Sequence, residues 1–189
     1  MPSRYGKITK EILWSLGESG RIALTGNSVY FAMRRWRIYH PKDTESGRKK
    51  EQRKFSQAVW RLKKSRLVIV REEEDGKFLA EITEKGRRKL REFQFVELRI
   101  QKPKKWDGIW RIVIFDIPNK KSRGRDVLRE KLKALEFYQL QKSVWAFPYP
   151  CEKEIEFLVE LFDLYPFVHI IEAQKIKGDV RLRKHFGLL

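Results

Sequence analysis

The segment that most restricts how this chain can fold is Trp110 to Ile117, WRIVIFDI, a run of apolar and β-branched residues closed by Pro118. A strand with one wet face would alternate polar and apolar side chains along its length. This one does not, so it reads as a strand buried on both faces and stopped by the proline. Such a strand belongs inside a sheet, with material on either side. The acidic residue at its exit, Asp116, is then the feature to explain.

The residues that follow build a unit around it. NKKSRGRDVLREKLKALEF places Leu128, Leu132 and Leu135 on one helical face, with Ser122 as the expected cap. Two short strands, 138–141 and 144–147, flank Lys142-Ser143. CEKEIEFLVELFDL turns Ile155, Leu158, Val159 and Phe162 inward as a second helix, FVHIIEAQKI reads as a fourth strand, and GDVRLRKHFGLL as a short closing helix. The order β-α-β-β-α-β is the ferredoxin-like arrangement.

Upstream, Ile8, Ile12, Leu13 and Leu16 recur at helical spacing, with Gly17 and Gly20 as the stop signal. A second helix is expected from the capping pair Asn27-Ser28 through Trp36, closed by Pro41, with Arg34, Arg35 and Arg37 at its basic end. After the polar loop PKDTESGRKK comes KEQRKFSQAVWRLKKS, residues 50–65. At 100° per residue Phe55, Ala58, Val59 and Leu62 share one face of this helix, and Arg53, Gln57, Trp60 and Lys64 the opposite one. Two β-rich runs, 67–71 and 77–82, are joined by an acidic turn ending in Asp75-Gly76, a hairpin signal. Thr83-Glu84-Lys85-Gly86 then opens a basic helix reaching about Phe95. Helix, helix, basic helix, hairpin, helix is the order of a winged helix-turn-helix.

The expected class is therefore α+β: a winged helix-turn-helix DNA-binding domain over 1–99, a linker over 100–109 (IQKPKKWDGI with its proline and cations), and a ferredoxin-like dimerisation domain over 110–189. Charge agrees with a polyanionic partner. The net charge is +18, and residues 34–66 alone hold 13 basic against 3 acidic groups. The single cysteine, Cys151, excludes an intrachain disulfide and a thiolate zinc cluster. No stretch approaches ~20 apolar residues and no apolar core follows the N-terminus, so membrane insertion and export are not expected, and the cytoplasm is the expected location. His40, His169 and His185 are scattered, without HExxH spacing, and the glycines form no phosphate loop.

Double-stranded DNA is the expected partner, read by a helix that fits the major groove. Arg53 and Gln57 lie in the first turns, where Arg can fork onto guanine and Gln onto adenine. Lys49, Lys50, Arg61, Lys63 and Lys64, with Arg35 from the preceding helix, suit phosphates, which supply affinity without sequence choice. Trp60 suits a sugar or thymine methyl, or packing against a neighbouring helix or a second copy. The acidic tip 72–75 argues against the wing pressing on phosphate, so Arg71 and Lys77 are weaker candidates.

WRIVIFDIP…RGRDVLREKLKALEFYQLQKSVWAFP resembles the central domain of the PaaX-type transcription repressors, which is similar in turn to the small CRISPR-associated nuclease of the Cas-two type. SQAVWRLKKSRLV, a hairpin and ITEKG resemble the recognition helix, wing and post-wing helix of bacterial regulators. The first resemblance covers residues 106–176. It implies a homodimeric DNA-binding regulator, a repressor, on a palindromic site. It places Asp116 on a position that in the nucleases holds Mg²⁺ with its twin from a second subunit, Arg123 and Arg125 near basic positions after the first strand, and Ser143-Val144-Trp145 on Ser-Val-Phe. PaaX-type repressors continue into a further domain, whereas this chain ends soon after its fourth strand, so their effector binding is not carried over and any small-molecule effector is unknown.

Two readings of Asp116 follow. As part of a metal-dependent nuclease or DNA-handling protein it would hold Mg²⁺ across a two-fold axis and polarise a phosphate. Otherwise it accepts backbone N–H groups ahead of the helix, and no cofactor or catalytic residue is expected. A nonspecific basic architectural or RNA-binding module is a third class, marked by uniform affinity and a steep salt slope.

Overall fold

The computed structural model describes residues 5–24, 45–73 and 78–188, and the chain folds as two units, Met1–Val96 and Glu97–Leu189. The architecture is mixed helix and sheet, α+β as expected.

The first unit contains α1 (Lys7–Ser19), β1 (Arg21–Ala23), α2 (Glu45–Lys64), β2 (Val68–Glu72), β3 (Phe78–Ile82) and α3 (Glu84–Glu97). The three strands form an antiparallel sheet in the order β1-β3-β2. Its core is apolar: Ile12, Leu13 and Leu16 from α1 meet Phe55, Ala58 and Leu62 from α2, Leu67, Val68 and Ala80 from the hairpin, and Leu90 and Phe93 from α3. β1 is absent from the sequence reading, because three residues are too few for a period-2 signal. α2 begins at Glu45, inside the segment expected to be loop. The expected helix over 27–36, with Arg34, Arg35 and Arg37, lies outside the described residues, as do His40, the turn at Asp75-Gly76, and Lys77.

Two glycines correct or sharpen the reading. Gly17 does not stop α1: it lies within the helix, and a Cβ there would come within 2.2 Å of Leu90 Cδ2, so the missing side chain lets α3 approach. The stop is Gly20 at φ 74°, whose N–H donates to Leu16 O at 2.8 Å. Gly86 sits in the first turn of α3, where a Cβ would come within 2.1 Å of Leu67 O. Beside it the Thr83 hydroxyl caps the helix, accepting from Gly86 N–H at 3.0 Å and donating to Arg66 O at 2.8 Å.

The second unit contains β4 (Trp110–Phe115), a 3₁₀ turn (Asn119–Lys121), α4 (Ser122–Ala134), β5 (Tyr138–Gln141), β6 (Val144–Phe147), α5 (Glu152–Leu161), β7 (Val168–Ala173) and α6 (Val180–Phe186). The sheet is antiparallel throughout, in the order β5-β6-β4-β7, so β4 is central as its composition demanded. One face of β4 carries Trp110, Ile112 and Ile114, which pack with Ala146, Leu182 and Phe186. The alternate residues turn to the side of α4 and α5. Three expectations change here. Ser122 is the first residue of α4 and makes no capping bond, because the 3₁₀ turn precedes it. Phe162 is only half-buried, and His169, expected to be packed, is exposed on β7.

Residue 111 shows what the reading of an apolar run passed over. Arg111 is 4% exposed in the middle of the sheet. Its Nη2 lies 2.7 Å from Asp107 Oδ2 and its Nη1 2.8 Å from Asp107 Oδ1, and Nη1 also donates to Ile109 O at 3.0 Å. Glu152 Oε1 at the start of α5 stands 3.5 Å from its Nε, and Glu172 Oε1 on β7 4.0 Å from Nη2. A buried guanidinium is tolerated because carboxylates surround it. The hydrogen bond from Arg111 holds the Asp107 carboxyl below its ordinary range, and the same bond raises Arg111. Residues 106–109, read as linker, thus join the second unit: Asp107 clamps Arg111, and the Trp106 ring lies 4.8 Å from that of Trp110.

Candidate nucleic-acid interface

α2 separates its residues as the wheel requires. Phe55 (2% exposed) and Leu62 (0%) anchor it in the core with Ala58 and Val59, while Arg53, Gln57, Trp60, Arg61, Lys63 and Lys64 are exposed, as is Lys50 one turn earlier. The division follows from 3.6-residue periodicity: burying one apolar stripe against α1 and the sheet turns the polar stripe to water. Arg53, Gln57, Trp60 and Lys64 follow one another at intervals of four, three and four residues and form a single strip. Trp60 remains 60% exposed, with Lys64 Nζ 5.0 Å from its ring centroid. The packing against a neighbouring helix that was one of its expected roles is not seen among the described residues.

The C-terminal end of α2 is capped without glycine. Arg66 adopts φ 57°, its N–H donates to Lys63 O at 2.9 Å, and Leu67 N–H donates to Leu62 O at 3.0 Å. This directs the chain at once into β2 and seats Leu67 in the core. On the hairpin, Arg71 is drawn to Glu81 at 3.9 Å, which leaves it less available than the α2 cations. On α3, Arg88 and Arg91 are exposed cations that the sequence reading did not single out. Their signal, a basic run RRKLR after the hairpin, was legible as charge but not as a face.

Asp116 lies at the exit of β4. Its N–H donates to Phe167 O at 3.0 Å, and Phe115 N–H donates to Ser143 O at 3.1 Å, so the strand end is held between the β5–β6 turn and the start of β7. Basic groups gather there. Arg129 Nε donates to Lys142 O at 3.1 Å and Arg125 Nη1 to Asn119 Oδ1 at 3.2 Å, while Arg123 is exposed. The carboxylate of Asp116 is exposed and accepts no hydrogen bond among the described residues, which corrects the expectation that it accepts backbone N–H groups before α4. Among the described residues no three His, Cys, Asp or Glu side chains converge as a metal site. One carboxylate per chain fits Mg²⁺ only if a second copy contributes its own.

Cys151 is fully buried at the start of α5, and burial pushes its thiol up to about 12, which removes it from nucleophilic chemistry at neutral pH. Among the described residues no helix is long and apolar enough to cross a membrane.

A two-unit α+β chain with a cationic helix face on one unit and a four-stranded antiparallel sheet in the other is the class these features define. Residues 103–184 match the family model described as the PaaX protein central Cas2-like domain, and the second unit is similar to that domain over this span. No curated protein matches the chain.

Proposed function

We propose that this protein is a sequence-specific DNA-binding transcription regulator, a cytoplasmic repressor that binds a palindromic site as a homodimer. The observation that carries the reading is the strip Arg53, Gln57, Trp60 and Lys64, left bare while the opposite side of α2 is fully packed. In this reading the first unit is a winged helix-turn-helix. Its α2 is the recognition helix, with Arg53 and Gln57 on base edges, Lys50, Arg61, Lys63 and Lys64 on phosphates, and the β2–β3 hairpin as wing. The expected contribution of Arg35 belongs to the same reading. The second unit, with the strand order of a ferredoxin-like fold, dimerises and sets two recognition helices about one helical turn, ~34 Å, apart. The PaaX-like match of residues 103–184 supports a regulator.

The test is to retain fragments of the source genome on the protein at about 0.15 M salt, with and without Mg²⁺, and to sequence them and measure their length. Intact fragments sharing a palindrome, lost when Arg53→Ala and Gln57→Ala are combined, are expected. Fragments without a common site would overturn the reading. A second reading, a metal-dependent nuclease, is favoured by one observation, the exposed and unbonded Asp116 carboxylate. It requires shortened fragments in Mg²⁺ or Mn²⁺ whose length is restored by Asp116→Ala.

A further inference from the structure

We infer that the first unit carries a seat for a single phosphate group where the start of α1, the end of α2 and the start of α3 meet. A cavity of about 580 Å³ opens there. That volume falls within the roughly 300–1,000 Å³ of small-molecule sites. α1 brings Gly6 and Thr9 to its wall, α2 brings Arg61 and Lys64, and α3 brings Lys85, with no acidic side chain in the lining.

The cations are the first sign of an oxyanion. Arg61, Lys64 and Lys85 have no acidic partner among the described residues, whereas Lys7, Arg71, Arg87 and Lys89 of the same unit each pair with a glutamate. Lys85 Nζ donates to Ser65 O at 3.1 Å and Lys64 Nζ lies 5.0 Å from the Trp60 ring centroid, contacts that hold these groups without neutralising them. The helix end is the second sign. α1 starts at Gly6 with no side-chain cap and no acidic residue in its first turn, so its positive end is uncompensated at the cavity wall. Thr9 is the third: it is 4% exposed, and its hydroxyl has no hydrogen-bond partner among the described residues. That hydroxyl is not among the polar atoms sealed by burial, so it is open to a ligand in the cavity. Buried polar groups are rarely left unsatisfied.

A phosphate group, with three acceptor oxygens and a charge of about −1.5 to −2, can meet cations, hydroxyl and helix N–H groups together. A carboxylate, with two oxygens and a single charge, would leave part of the set unmet. The phosphate comes from a free phosphorylated molecule or from one link of a nucleic-acid backbone, and the chemistry of the seat is common to both. The second source rests on the proposed DNA face, with which the seat shares Arg61 and Lys64; the first does not.

Amide NMR spectra of the full chain are recorded during titration with inorganic phosphate at constant ionic strength, with acetate as the control anion. The amides of Lys7, Ile8 and Thr9 are expected to shift along saturating curves with Kd below about 10 mM, and acetate to bind at least about fivefold more weakly. Lys85→Ala and Thr9→Val should each weaken phosphate about three- to tenfold. Arg91→Ala, which removes an equal charge from α3 outside the cavity, should change it less than about twofold. Thr9→Val deletes a hydroxyl that bonds to nothing in the described chain, so its melting temperature should not fall; if it does, exposed Lys85 decides. Duplex DNA of unrelated sequence is added last. Phosphate displaced from the same amides assigns the seat to a nucleic-acid backbone, and a phosphate curve left intact assigns it to a small phosphorylated molecule. Amides that do not move or do not saturate, acetate binding as tightly as phosphate, or Lys85→Ala acting no more strongly than Arg91→Ala would each overturn the inference. None of these outcomes bears on the genomic-fragment test, so the seat and the sequence-specific reading can fail separately.

Discussion

The two units handle positive charge in opposite ways. In the first, the core is apolar and the cations of α2 project from its far side, with their hydrocarbon neighbours doing the packing. In the second, a guanidinium is built into the central strand, and Asp107, Glu152 and Glu172 from three other segments converge on it. An exposed cation contributes little to stability and is free for a partner. A buried one is committed to the fold, because removing it leaves carboxylates without compensation. Residue type alone does not distinguish Arg53 from Arg111; the environment does.

The sharpest break in this contrast is Arg111→Ala. It should destabilise the second unit by about 3 kcal/mol, the low end for a broken buried pair because the three acids are themselves partly exposed. Cys151 supplies the readout: buried, with its thiol pushed up to about 12, it should resist thiol reagents until the second unit opens, so labelling rates in denaturant report that unit alone. Faster labelling at lower denaturant is expected for Arg111→Ala, and an unchanged profile would show that the cluster is not structural.

The corresponding perturbation of the first unit is Gly86→Ala. In most helices this exchange stabilises by up to about 1 kcal/mol. Here the new Cβ would meet backbone at Leu67 O, so the sign reverses to a loss of about 2 kcal/mol, measured by urea denaturation followed by far-UV circular dichroism, with Cys151 labelling unaffected. Arg53→Ala should change stability by less than about 0.5 kcal/mol while weakening specific DNA binding by about 1–3 kcal/mol, a separation that Arg111→Ala cannot show. Arg66→Gly should stabilise the first unit by about 0.5 kcal/mol, because a left-handed backbone at φ 57° suits glycine better than arginine.

Acid should act through the Arg111 cluster. The folded Asp107 carboxyl lies below its ordinary range, so its contribution is complete above the unfolded value and is lost as the pH falls through the lowered folded one. The original protein and Asp107→Asn should therefore differ in Cys151 protection at neutral pH and converge in strong acid. A constant difference across that range would break the assignment.

Strands 138–141 and 144–147 agree with the sequence reading residue for residue, because the two-residue turn Lys142-Ser143 fixes where each strand ends, although their pairing shifts register between Gln139 and Gln141. The strip on α2 was legible for a similar reason, since amphipathic periodicity over many turns outweighs local ambiguity. Helix ends were read less well. Arg66, Glu136 and Asp163 all take the left-handed conformation that ends a helix, at φ 57°, 67° and 50°, where the sequence offers no glycine to announce it. In each case the next residue, Leu67, Phe137 or Leu164, is buried, and its N–H bonds back into the helix at 3.0, 3.0 and 2.8 Å. Burial of that apolar residue offsets the backbone strain.

The sequence by itself determined the central place of β4 and the cationic strip of α2, because both follow from the spacing of apolar residues along one element. Only the tertiary structure decided that Gly17 is a contact and not a stop, that Arg111 is a keystone and not an error in an apolar run, and that Lys85 of α3 lines one cavity with Arg61 and Lys64 of α2. Each of these depends on which segments meet in space, and burial and hydrogen-bond partners are set by neighbours remote along the chain, which no local pattern encodes.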